Sequence, residues 1–210
     1  MKSIAYIKKV RDAAAFKEFM QEDPKAYLCS LFFTRDFNEK SSETQVDFYS
    51  PKQKMIVSFK VDKKVERAPL GKKAETLTHK SFVPKVLAED IKMDIDEIEP
   101  TLMDEMHNRG MTYQIDKVLA FVNVTDNEVV WNCTSFLRGL GLLIAHVEDK
   151  SKTVLFMEKK SFFDILRFTK GGVGVGGQKN QVIQPQTSRK ATQKAVGNTD
   201  VSKKGEKSKK

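Results

Sequence analysis

At 210 residues and 40% hydrophobic, the chain is long enough for one ordinary domain or two small ones. Its only cysteines, Cys29 and Cys133, each lie inside an apolar run, which excludes a disulfide framework and predicts reduced core thiols. The net charge of +9 is uneven, because residues 171–210 hold nine basic against two acidic side chains while the body stays near neutral. The lysine-bearing start MKSIAYIKKVRD has no signal-peptide run, and Leu140 to Val147 is too short to span a bilayer. A cytoplasmic location is the expectation.

In chain order, Asp12 is placed to cap a short helix over Ala13 to Met20, with Phe16, Phe19 and Met20 on one side. Ser3 to Val10 suits either a helix or a strand. Asp23-Pro24 stops the helix. Ala26 to Thr34 reads as a strand. Thr44–Tyr49 and Lys54–Val61 alternate about a turn containing Pro51, which predicts a hairpin. Residues 62–83 carry no period and read as a loop.

Leu87, Ile91, Ile95, Ile98, Leu102 and Met106 then form a helical stripe. Pro100 is expected to split it, and the Asp96–Glu99 spacing predicts a capping box for a helix from about Glu97 to Asn108, ended by Gly110. Strands follow over 114–124, 128–136, 139–147 and 153–158, with turns at Asp126-Asn127 and Glu148–Lys152. Ser161 to Phe168 reads as a short amphipathic helix. Beyond the glycines of 171–177, the composition predicts a disordered basic tail.

The two halves read alike, each a helix followed by an antiparallel meander. The hairpin Asp47 to Val57 matches Ala145 to Leu155 in its polar, lysine-bearing turn and its β-branched exit. The expected fold class is therefore α+β, a diverged tandem repeat of two helix-plus-antiparallel-meander units followed by the tail. Its divisions are a first unit over 1–62, a connecting loop over 63–83, a second unit over 84–169, and a linker and tail over 170–210.

The second half resembles the PepSY family of small helix-plus-meander modules, cystatin-like in topology. The resemblance rests on Val129-Val130-Trp131 in one strand and on Ala145-His146-Val147-Glu148-Asp149-Lys150-Ser151-Lys152-Thr153-Val154-Leu155 in the last hairpin. It is clearest over residues 95–158, possible in tandem through the first-half echo, and lacks the turn glycine common in the family. It implies an inhibitory or regulatory binding unit.

No catalytic constellation stands out. Lys170 to Gly177 contains a G-x-G-x-x-G pattern, but an expected helix precedes it and a polar tail follows, so it reads as a linker. The acidic stretch Glu89 to Glu105 has no glycine for a calcium loop and reads as a solvated helix face, with a docking face for a basic partner or the chain's own tail as the alternative. His79, His107 and His146 have no second ligand at helical spacing. A Cys133–His146 nucleophilic pair is conceivable across neighbouring strands but reads as core. Trp131 with Phe121 and Phe136 could form a base-stacking platform, but Glu128 to Phe136 holds no basic residue and core packing is preferred.

The functional expectation is a non-enzymatic binding or adaptor module for a protein or ribonucleoprotein partner, needing no cofactor and no metal. The tail cations Lys179, Arg189, Lys190, Lys194, Lys203, Lys204, Lys207, Lys209 and Lys210 would add nonspecific nucleic-acid contact. The alternative is an intracellular inhibitor or regulator of a peptidase or other enzyme. Edge strands offer sites for self-association or strand addition.

Overall fold

The computed structural model describes residues 2–68 and 83–161. The expected C-terminal helix (apart from Ser161), the glycine-rich segment, His79 and all nine tail cations lie outside the described residues. The chain divides into two units, Met1–Gly172 and Val173–Lys210, and all the described residues lie in the first.

The start of the chain is helical twice. Helix α1 (Ser3–Asp12) buries Ile7 and Val10, and α2 (Ala14–Glu22) buries Phe16 and Phe19. Asp12 ends α1 instead of capping α2, because the break falls one residue later, at extended Ala13 (ψ 143°). A meander follows: β1 (Tyr27–Asp36), β2 (Ser41–Ser50), β3 (Met55–Val61) and β4 (Val65–Arg67), the last lying inside the expected loop.

Residues 83–94 are not helical, although Leu87 and Ile91 carry the stripe. Outside hydrogen bonds hold this strap extended. The Leu87 N–H donates to the Leu28 carbonyl at 2.9 Å. The Lys92 and Met93 amides donate to the Asp149 carboxylate at 2.7 and 3.0 Å. Helix α3 (Ile95–Asn108) starts at a capping box between Asp94 and Glu97, two residues before the expected one. Pro100 does not split it. A proline lacks one amide hydrogen bond, here the one to the Asp96 carbonyl, and the buried stripe Ile95, Ile98, Leu102 and Met106 continues across it. Thr101 Oγ1 also donates to the Glu97 carbonyl at 2.7 Å.

The second meander comprises β5 (Ile115–Thr125), β6 (Glu128–Leu137), β7 (Gly141–Glu148) and β8 (Val154–Ser161). Asp126 and Asn127, at φ 49° and 69°, make the two-residue left-handed turn that suits strand twist.

The fold-class expectation of two units is corrected here. All strands form one antiparallel sheet in the order β4-β3-β2-β1-β5-β6-β7-β8. The first strands of the two meanders pair directly, from Leu31↔Val122 to Asp36↔Lys117. Separated, each meander would expose a long apolar edge at β1 or β5, and the pairing removes both. The result is a single sheet-dominated domain. The tandem repeat expected from the sequence is not evident in this single sheet.

All described helices cover one sheet face. Over β1–β3 the core is aromatic, with Phe16, Phe19, Phe48 and Phe59 in mutual ring contact. Across the seam, Phe33 stacks on Trp131 (5.5 Å, 12°) above small Ala120. Buried Trp131 donates its indole N–H to Asp149 at 2.8 Å, so one carboxylate satisfies both the core tryptophan and the strap. Among the described residues no helix is long and apolar enough to cross a membrane.

Candidate functional site

The opposite sheet face carries no described helix. Strand alternation sends Leu31, Phe33, Val122, Trp131, Cys133, Ala145 and Val147 into the covered core, and their sequence neighbours out to this face. Register places Phe32 opposite Phe121, Phe121 opposite Asn132, Asn132 opposite His146 and His146 opposite Phe156. These five side chains cross five strands in one row. Phe121 is 36% exposed and Phe156 41%, and the His146 and Phe156 rings lie 5.2 Å apart. Asn132 Nδ2 is oriented by Asn123 Oδ1 at 2.9 Å. A second row, Thr34, Leu119, Thr134 and Ile144, runs beside the first.

Charges sit at the margins and are paired: Lys60 with Glu43 (2.9 Å), Lys117 with Asp36 (3.6 Å) and Lys160 with Glu158 (3.3 Å). An apolar centre with a charged rim is the anatomy of a protein-binding patch. Beside the row lies Asp47, 5% exposed, whose carboxylate accepts from Ser30 Oγ at 2.9 Å and Gln45 Nε2 at 2.8 Å. Burial pushes this carboxyl above its ordinary value, opposed by bonds from Ser58, Gln45 and Ser30.

The sequence-expected groups are distributed differently. Trp131 is fully buried on the covered face, whereas Phe121 and Phe136 lie on the uncovered one, so the three do not form a platform. Cys133 and His146 sit on adjacent strands but on opposite faces, which separates the conceived nucleophilic pair. Burial pushes both Cys29 and Cys133 up to about 12, with Asp47 adding to the effect at Cys29, so both are inert as thiolates near neutrality.

The acidic stretch is largely neutralised in place: Glu89 by Arg11, Asp90 by Lys92, Asp96 by Arg35, Glu97 by Lys152 and Glu105 by Arg109. Among the described residues no group of three His, Cys, Asp or Glu side chains could hold a metal ion.

Phe32 and Phe156 are the face residues that strand-by-strand reading misses. Each carries the right alternation within its own strand, but only the β1·β5 and β7·β8 registers bring them into line.

No family model matches the chain, and no curated protein matches it. A solved structure of a candidate lipoprotein from Clostridium difficile 630 is similar over 70% of this chain and 90% of its own, at 14% identity and a TM-score of 0.41. At that level the likeness bears on neither ligand nor location.

Proposed function

We propose that this chain is a non-enzymatic binding module, cytoplasmic, whose uncovered sheet face takes a protein partner and whose basic tail contacts nucleic acid. The observation that carries the reading is the aromatic row Phe32–Phe121–Asn132–His146–Phe156, apolar at its centre and ringed by paired charges. Aromatic anchors of this kind dominate protein interfaces. The buried, unpaired cysteines suit a reducing compartment. The nine tail cations suit phosphate backbones through counterion release, which gives affinity without sequence choice.

The test uses the intact chain, a variant with the nine tail cations changed to glutamine, and the double variant Phe121→Asp/Phe156→Asp. The intact chain binds total cellular RNA with log K falling linearly with log salt, at a slope of up to about −6 when all nine cations engage single strands. The tail variant binds more weakly and with a shallower salt slope, while the face variant keeps full RNA binding and loses the protein that copurifies with the intact chain. RNA binding by neither chain overturns the nucleic-acid half. An unchanged copurifying partner overturns the face.

A second reading, regulation of a peptidase or other enzyme, is favoured by the unequal sheet edges. The β4 edge has three residues, whereas β8 has eight and exposes Leu155 at 59%, a length that admits strand addition. Under this reading Phe121→Asp leaves binding intact and a proline in β8 removes it.

A further inference from the structure

We infer that a cleft beneath the β6–β7 turn is a phosphate-binding site; the inference rests on the nucleic-acid half of the reading above. The cleft, about 220 Å³, is lined by Tyr113, Arg138, the Gly139–Gly141 turn, Lys159 and Ser161. It thus offers two cations and two hydroxyls, with no carboxylate in its lining.

Lys159 is the central group. Its Nζ lies 2.6 Å from the Tyr113 hydroxyl and 3.9 Å from the centre of that ring. Among the described residues no carboxylate pairs with it, whereas its neighbour Lys160 is paired with Glu158 at 3.3 Å. Tyrosine fixes the ammonium in place without neutralising it, which leaves its charge for an anion. Arg138 also lines the cleft. One of its nitrogens is engaged by Asp116 at 2.9 Å, its side chain is 58% exposed, and a guanidinium has further donors to give.

The turn lies against these cations. A Cβ on Gly141 would stand a tight 3.3 Å from Leu137 and at an ordinary contact distance, 3.5 Å, from Lys159 Cε, so the lysine stem runs directly beside the turn. Gly139 and Leu140 both take left-handed backbone, at φ 92° and 65°. A leucine held there while 60% exposed gains little from packing, and such conformations concentrate at binding sites. Cationic and hydroxyl donors around one small cleft fit a tetrahedral anion with several acceptor oxygens. Ser161 lines the cleft, and the basic segment follows it in the sequence.

The experiment follows the backbone amides of Gly139, Leu140 and Gly141 in the full-length chain. Inorganic phosphate is titrated in one arm and oligouridylate in the other. Saturable shifts at these amides with phosphate are expected, weakened about tenfold by Lys159→Met, which keeps the stem but removes the charge. Tyr113→Phe, which keeps the ring and frees the lysine, weakens binding severalfold and guards against misreading a folding defect. In the chain with glutamine at the nine tail positions, oligouridylate still moves the same amides. Shifts at the turn with phosphate and none with oligouridylate support the site, assign it to a small phosphorylated molecule and leave the nucleic-acid reading to the tail alone. The absence of saturable shifts at the turn with either probe overturns the site.

Discussion

The two faces of the sheet are built from alternating residues of the same strands, yet they follow different rules. On the covered face, Phe33, Trp131, Val122 and Ala145 are each no more than 1% exposed and pack against helices. On the other face, Phe32, Phe121 and Phe156 have the same chemistry but no helical cover among the described residues. Hydrophobicity alone therefore does not separate core from binding surface. The separation comes from parity, one residue along a strand, and from where the helices lie. Mutations at matched positions turn this contrast into numbers.

The largest effect is expected at Trp131. Replacing it with alanine removes the stack on Phe33, opens a cavity and takes a donor from buried Asp149, which still holds the strap. A loss of about 3–5 kcal/mol follows, read from urea unfolding by far-UV circular dichroism. A loss near that of an exposed site would mean that the helices do not seal this face. Ser135, also on the covered face, has a fully buried hydroxyl with no hydrogen-bond partner among the described residues. Ser135→Ala should stabilise the protein by about 1 kcal/mol in the same assay.

Much of the covered face was legible in the sequence, and the reasons are local. Alternation in Lys54–Val61 and the stripe from Ile95 to Met106 record what one element presents to its neighbours. Three features were not legible because they depend on distant partners. The β1·β5 seam joins residues 81 to 91 positions apart and turns two expected units into one sheet. The strap's extended backbone is imposed by Asp149, 56 and 57 positions away, against a helical stripe in Leu87 and Ile91. The aromatic row exists only once the β1·β5 and β7·β8 registers are set, and nothing within β1 or β8 alone singles out Phe32 or Phe156.

Asp47 and Asp23 give the comparison a pH axis, with opposite signs. Burial raises the Asp47 carboxyl in the folded protein, so its favourable contribution is complete below 3.8 and is lost as pH rises through the folded value. Asp47→Asn should therefore stabilise the protein at pH 7 and change little near pH 3. Asp23 is lowered, chiefly by the Ser50 hydroxyl and then by the Lys52 amide. Its contribution is present above 3.8 and is lost as pH falls through the folded value. Asp23→Asn should weaken the protein at pH 7, and the deficit should shrink in acid. Unfolding midpoints across pH 2.5–7 compare the two, and parallel curves would contradict both assignments.

A far smaller loss than at Trp131 is expected where the functional effect is greatest. Phe121 points to the uncovered face, 36% exposed, opposite Phe32 and Asn132 on the neighbouring strands. Phe121→Ala should cost about 1 kcal/mol, the cross-strand pairing and strand propensity it gives up. A loss near that of Trp131→Ala would mean that Phe121 is packed in solution, so that the face is already covered and is no docking surface. With the small value, the aromatic row contributes far less to the isolated fold than the covered face does, and three phenylalanines kept in line for so modest a return are best accounted for by what binds there.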